Sequence, residues 1–419
     1  MLVEVSVANF RSIADRQTLS LVASHDAAHL ERNAAMPVGG DKGPRLLRSA
    51  VIYGPNAAGK SNVLRALETF RQWVLRSSGL AFPPPSGIPD NPCPPLTPFL
   101  LGQSDDDPCE FDIVLDLEGV RYHYGLAARR ERVYREWLVS YPKGRPQRWF
   151  ERGYQPGTQR YEWWFGPAFR GERKQRQAWQ NSTRDDALFL STAVQLNNEQ
   201  LRPLHDWFRD GLIVLLSGIR WNPGLSLDML RDDDARSRLM AFMQAADVGI
   251  DRLELREEEG KASLQGQNVP GRLCRVLAWH KKATDTCEVE FDLNNESDGT
   301  QKLFEFAGGW LRALDTGATL FVDELDRSLH PKLTRFLVER FNSRQNEKNA
   351  QLIFTTHDTS LLDPELLRRD QIWFTEKDDK RATRLYSLLD YSPRKDEALE
   401  RGYLKGRYGA LPVIGHWKW

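Results

Sequence analysis

The sequence predicts an α/β fold built around a phosphate-binding loop, on three observations. A run that reads as a strand, Leu47–Tyr53, leads into Gly54-Pro55-Asn56-Ala57-Ala58-Gly59-Lys60-Ser61, and a helical pattern (Val63, Leu64, Leu67, Phe70, Val74) follows. A second apolar run, Ala318–Val322, ends in the paired carboxylates Asp323 and Glu324. A third, from Gln351, ends in Thr355-Thr356-His357. Short apolar runs between turn signals are what strands buried on both faces look like.

The first run fits GxxxxGK[ST], and the strand–turn–helix context gives that pattern its physical meaning. Backbone N–H groups and a helix N-terminus there can cradle phosphates. Pro55, Asn56, Ala57, Ala58, Gly59, Lys60, Ser61 and Asn62 are the candidate ATP-binding residues. Lys60 is expected to reach the β- and γ-phosphates, and Ser61 to hold Mg²⁺. Asp323, at a strand's carboxyl end, is placed to hold the same metal through water. Glu324 is placed to orient and deprotonate an attacking water.

At 419 residues the chain is long enough for two or three domains, and its 58 basic residues balance its 58 acidic ones. That neutrality argues against a bulk electrostatic DNA binder, while leaving local basic stretches free to touch phosphates. No apolar run is long enough to span a membrane, and no secretion signal is visible. Cys93, Cys109, Cys274 and Cys287 form no CxxC pair, the pattern of a reduced, cytoplasmic protein.

In chain order, Leu2–Val7 alternates as a strand and turns at Asn9-Phe10-Arg11-Ser12 into a second strand, Gln17–Ala23. The P-loop helix is expected to run to about Ser78. Residues 82–95 are dense in proline and form a linker. Glu110–Leu117, Arg121–Ala127 and Glu136–Tyr141 are strand candidates of an antiparallel meander, continued by Arg148–Phe150 and Tyr161–Phe165. The basic stretches Arg129–Arg135 and Arg170–Arg176 contain acids and are expected to be a solvated face. Residues 166–285 are expected to be a compact helical insert, with helices near Leu188–Leu196, Leu201–Leu215 and Ala235–Ala246, then a short strand at Leu253 and Leu255. The expected organisation is 1–165 and 286–390 for the two halves of the head, and 391–419 for a tail.

Further residues resemble those of one family. Glu296-Ser297-Asp298-Gly299-Thr300-Gln301 precedes a helical segment, Asp326–Pro331 follows the carboxylate pair, and His357 ends the next strand. With the opening Asn9–Ser12 turn, these resemble the signature, D-loop, switch histidine and N-terminal turn of the SMC/RecF-like ABC ATPases. The resemblance implies an ABC-type P-loop ATPase head with an antiparallel β-subdomain. It implies that Arg11 and Ser12 lie near the nucleotide and that His357 senses the γ-phosphate. It further implies a head-to-head homodimer in which Ser297, Gly299, Thr300 and Asp326 serve the neighbour's ATP, with room for higher homo-oligomers. Asp298 stands where a second glycine is usual, Glu296 replaces the usual leucine, and Gln103 is a candidate Q-loop residue.

The compact insert and the tail Arg401–Pro412 are similar to the RloA-like ATPases and to AriA, the ATPase of the PARIS antiphage system. That implies a sensor or scaffold for a separate toxic effector, a TOPRIM-type nuclease or an RloB-like protein, released on a phage-encoded trigger. Asp378-Asp379 sits in a charged turn, and the stretch after His357 is too short for a TOPRIM domain of its own. A RecF-like DNA repair ATPase, with DNA as partner, is the alternative.

Overall fold

The computed structural model describes residues 1–36, 43–79, 94–102, 107–217, 224–246, 249–264, 267–282, 287–327, 329–392, 394 and 397–412. The N-terminal part holds β1 (Leu2–Ala8), β2 (Gln17–Ser20), α1 (Leu30–Asn33), β3 (Ala34–Ala35), β4 (Leu46–Leu47), β5 (Ser49–Tyr53) and α2 (Lys60–Arg76). A meander follows: β6 (Cys109–Leu117), β7 (Val120–Arg129), β8 (Arg132–Tyr141), β9 (Gln147–Gln155) and β10 (Arg160–Phe165). Next come α3 (Arg173–Ser182), α4 (Phe189–Gln195), α5 (Arg202–Asp210), β11 (Leu212–Leu215), α6 (Gly224–Leu230) and α7 (Asp233–Ala245). A three-stranded sheet, β12 (Arg252–Leu264), β13 (Gln267–Lys281) and β14 (Glu288–Asp292), leads into α8 (Asp298–Thr316). The chain closes with β15 (Thr319–Val322), α9 (Pro331–Phe341), β16 (Gln351–Thr355), β17 (Ile372–Lys377), β18 (Thr383–Ser387) and α10 (Leu399–Leu404).

The central sheet has the order β11-β15-β16-β5-β17-β18, parallel except for β18. Both of its faces are covered, which explains the unbroken apolar runs. Along β5, Ala50 and Ile52 join one core, while Val51 and Tyr53 join the other. The first core lies between the central sheet, α2 and the antiparallel sheet β10-β9-β8-β7-β6-β1-β2. Val63, Leu64, Leu67, Phe70 and Val74 of α2 are all buried there, as the helical pattern predicts. At about 1.5–3 kcal/mol per buried side chain, that face contributes on the order of 10 kcal/mol. The second core packs α8, α9 and the C-terminal segment on the opposite face.

A buried ion pair ties the antiparallel sheet to the helices beside it. Arg152 Nε donates to Glu136 Oε2 at 3.0 Å, with both side chains fully buried. Glu136 also accepts from Tyr124 Oη and from the backbone N–H groups of Phe189 and Leu190 at the start of α4. Ser191 and Ser77 then bond α4 to the end of α2, through Ser191 Oγ to Val74 O and Leu188 N to Ser77 Oγ.

The structure thus has the expected α/β P-loop head with its antiparallel subdomain, but the insert differs from expectation. The predicted helix Leu201–Leu215 ends at Asp210; after Gly211, Leu212–Leu215 is an edge strand of the central sheet. The expected short strand at Leu253 is the start of a 13-residue strand paired along its length with β13. The 166–285 segment therefore mixes helices with strands and lends one strand to the head itself. The charged residues of both basic stretches are largely exposed, and in the first Arg132 pairs with Asp185 and Arg135 with Glu151. Most of the proline-dense segment, and Gln103, lie outside the described residues.

Helices α6 and α8 cross at Gly308, whose N–H donates to Ser226 Oγ. A Cβ at Gly308 would lie 2.3 Å from the Ser226 nitrogen and 2.8 Å from its Cα, so backbone would have to move. Gly308→Ala is expected to destabilise by about 1–3 kcal/mol despite the helix propensity of alanine, as read by urea denaturation.

Candidate active site

The loop after β5 places its glycines where only glycine fits. Gly59 has φ +107°, and a Cβ there would sit 2.1 Å from Thr383 Oγ1. At Gly54 (φ +155°) a Cβ would sit 2.4 Å from Thr375 O. The loop is thus pressed against the β17–β18 hairpin, and α2 begins directly at Lys60. Lys60 is buried, and its Nζ donates to Gly54 O at 2.7 Å and Pro55 O at 3.3 Å. Burial lowers its pKa below the ordinary lysine value, against the opposing pull of Asp323, Glu324 and Asp326.

Beside the loop, the buried Asp323 carboxylate gathers three hydroxyl groups. Ser61 Oγ donates to Oδ1 at 3.0 Å, Thr355 Oγ1 to Oδ1 at 2.8 Å, and Ser217 Oγ to Oδ2 at 2.6 Å. Ser61 and Asp323 are therefore neighbours although 262 residues separate them. Oxygen donors of this kind, one hydroxyl and one carboxylate, suit Mg²⁺, which keeps several waters and takes further ligands from phosphates.

Glu324 follows with φ +54°, a left-handed conformation uncommon for a residue with a side chain. Its N–H donates to Thr355 Oγ1 at 2.7 Å. Thr355 thus holds the Asp323 carboxylate and the Glu324 backbone. The Glu324 carboxylate meets Arg327 at 3.4 Å. Strained residues of this sort cluster at functional sites, where the surrounding structure over-determines them. His357 is exposed, and its backbone N–H donates to the Asp326 carboxylate at 3.2 Å. Burial of part of the ring and then the Lys60 cation lower its pKa below the ordinary histidine value.

The N-terminal turn reaches the same region. Ser12 Oγ bonds Thr383 Oγ1 at 2.7 Å and accepts from Asn62 Nδ2 at 2.7 Å. Arg11, exposed at φ +52°, flanks it. Pro55, Asn56, Ala57 and Ala58 line a shared cavity with His357. Ser297, Gly299 and Thr300 stand apart from that cavity: Ser297 caps α8, accepting from Thr300 N at 3.2 Å. Glu296 is turned away to His280, Oε1 to Nε2 2.8 Å, which removes the acid from the helix mouth. His330 caps α9 through Lys332 N, with Pro331 in the first turn. Asp378 and Asp379 lie in the β17–β18 turn, where Asp378 Oδ1 accepts from Lys380 and Ala382 N–H groups.

Sequence reasoning missed Ser217, Thr355, Thr375 and Thr383. Thr355 stands in the Thr-Thr-His run, so its neighbour offered a signal; the other three had none.

Between residues 49 and 363 the chain matches the family described as "AAA domain, putative AbiEii toxin, Type IV TA system". The chain belongs to that family. It is an AAA-type ATPase domain. Among solved structures it is similar to the SMC head domain from Thermotoga maritima, at 12% identity and TM-score 0.40, covering 92% of this chain and 98% of that one. It is also similar to an SMC head bound to the C-winged helix domain of ScpA, at 13% identity and TM-score 0.39, covering 92% and 97%. A third similar structure is an Smc head with an extended coiled coil bound to the C-terminal domain of ScpA, derived from Pyrococcus furiosus. There the identity is 11% and the TM-score 0.38, covering 93% and 97%. These likenesses are distant. No curated protein matches the chain.

Thr355→Val keeps the shape but removes a buried hydroxyl that serves the Asp323 carboxylate and the Glu324 N–H. It is expected to cost about 1–3 kcal/mol in denaturant unfolding, with Thr355→Ser restoring most of the loss. His357 gives a pH test. Its folded pKa is depressed, while the unfolded ring takes a proton near about 6.5. As pH falls through that value the unfolded chain binds more protons, so native stability is lost. The wild-type Tm is expected to fall more steeply between pH 7 and 5 than that of His357→Asn.

Proposed function

We propose that the chain binds and hydrolyses Mg-ATP as a homodimer and serves in a bacterial antiphage system, where it holds and releases a separate toxic effector nuclease. The observation that carries the ATPase reading is the Asp323 carboxylate, bonded to Ser61 beside the P-loop and followed at once by the strained Glu324. In this reading the backbone from Pro55 to Gly59, with Asn62, Arg11 and Ser12, binds the nucleotide. Lys60, now turned onto loop carbonyls, exchanges them for phosphate oxygens. Mg²⁺ would be held by Ser61 and, through water, by Asp323; when bound it neutralises charge across the β- and γ-phosphates.

Glu324 orients the attacking water and accepts its proton, and its carboxylate, only loosely met by Arg327, keeps oxygen lone pairs for that task. His357 is favoured as neutral near pH 7 by its lowered pKa, so its ring can accept or donate a hydrogen bond at the γ-phosphate. Ser297, Gly299 and Thr300, at the start of the 19-residue α8, would meet the other copy's phosphate. Asp326 would stand at the same interface, holding the His357 backbone in place.

The toxin–antitoxin wording of the family description supports a two-component role with a partner protein. A RecF-like DNA repair ATPase is the second reading. Its support is the exposed stacking of Arg148 on Trp164 and Arg135 on Trp137, although Glu151 already pairs both arginines.

Glu324→Gln is expected to retain ATP, accumulate dimer in light scattering and lose phosphate release by about 100-fold or more. Lys60→Ala is expected to lose ATP binding. Affinity purification of the chain with its genomic neighbours tests the wider role. A stoichiometric small partner altered by Lys60→Ala supports it; nucleic acid in place of a partner puts the repair reading first.

A further inference from the structure

The P-loop opens into a cavity of about 780 Å³, floored by Gly54 to Ala58. Its walls are His357, the β17–β18 hairpin at Glu376, Lys377 and Arg381, and the C-terminal segment at Tyr403 and Ala410–Pro412. That volume lies within the range of small-molecule sites. The hairpin is not a loose flap on this wall. Thr383 Oγ1 donates to Ala58 O at 2.9 Å, and Thr383 N donates to Ser12 O at 2.6 Å. With the close approach at Gly54 and Gly59, hairpin and P-loop form one rigid surface.

The cavity lining carries two cations from the hairpin, Lys377 and Arg381, against one carboxylate, Glu376. Lys377 Nζ bonds the same Thr383 Oγ1, at 3.1 Å, and burial lowers its pKa against the pull of Asp378. That aspartate is held in the turn by two backbone N–H groups. Arg381, at φ +59°, has no ion-pair partner among the described residues. Glu376, the carboxylate in the lining, is drawn toward the C-terminal segment, accepting from Tyr386 Oη at 3.0 Å and Ala410 N at 3.3 Å. Two cations thus face a cavity whose floor is a phosphate-cradling loop, and neither is in an ion pair among the described residues. A solvated hairpin would not need to be locked to that loop by Thr383 and Thr375.

We propose that Lys377 and Arg381 form a second cationic arm of the site, which binds the terminal phosphate of a nucleoside triphosphate and so separates triphosphate from diphosphate. The inference rests on the nucleotide reading above. Lys60 approaches the phosphate chain from the loop, and the hairpin cations reach it from the hairpin wall of the cavity beside that loop. Charge-assisted hydrogen bonds made to the terminal phosphate alone strengthen ATP binding and leave ADP binding nearly untouched.

Titration calorimetry of the full chain with Mg-ATP and Mg-ADP tests this, using Lys377→Ala with Arg381→Ala. The expected result is ATP affinity weaker by about tenfold or more and ADP affinity changed less than about twofold, in a variant that still unfolds cooperatively. Lys377→Arg is expected to recover most of the ATP affinity. Unchanged ATP affinity in the double variant, or equal losses for ATP and ADP, overturns the proposal. A wild-type chain that binds neither nucleotide overturns the nucleotide reading itself, and this inference with it.

Discussion

A buried carboxylate sets the terms for the whole site. Asp323 is buried, and a buried acid without hydrogen-bond partners would be costly. Three hydroxyls from three separate segments supply the hydrogen bonds that water would otherwise give: Ser61 from the P-loop helix, Thr355 from β16 and Ser217 from the turn after β11. Each donor therefore fixes the position of its own segment as well as satisfying the acid. The parallel alignment of β11, β15 and β16 brings those segments to the same end of the sheet. Chemistry collects at the carboxyl ends of the strands because the sheet registers them there.

Much of this was legible in the sequence, because the signals were local. The P-loop is a contiguous run whose glycines and lysine act through their own backbone and side chain, and α2 follows with a clean helical face. Asp323, Glu324 and His357 sit where short apolar runs stop, and those runs are strands. The start of α8 was also local: Ser297 caps it as a serine before a helix should.

What escaped depends on distance along the chain or on segments too short to carry a period. Thr383 meets Ser12 across 371 residues, and a threonine at the start of an edge strand carries no pattern announcing that contact. Leu212–Leu215 is four apolar residues directly after a helix, too few to distinguish a helical from a strand repeat. Its place at the sheet edge is decided by pairing with β15, a tertiary choice. Strand β12 hides for a different reason: after Leu253 and Leu255 its sequence turns to consecutive glutamates, so alternation is lost while pairing with β13 continues.

The Glu136–Arg152 pair constrains how this molecule can deform. Glu136 takes donors from its own sheet and from the first residues of α4, and α4 is bonded to the end of α2. Sliding the meander relative to α4 would strip those donors from a carboxylate with no water at hand to replace them. The meander, α4 and the P-loop helix are therefore tied to one another inside the fold rather than through a surface loop.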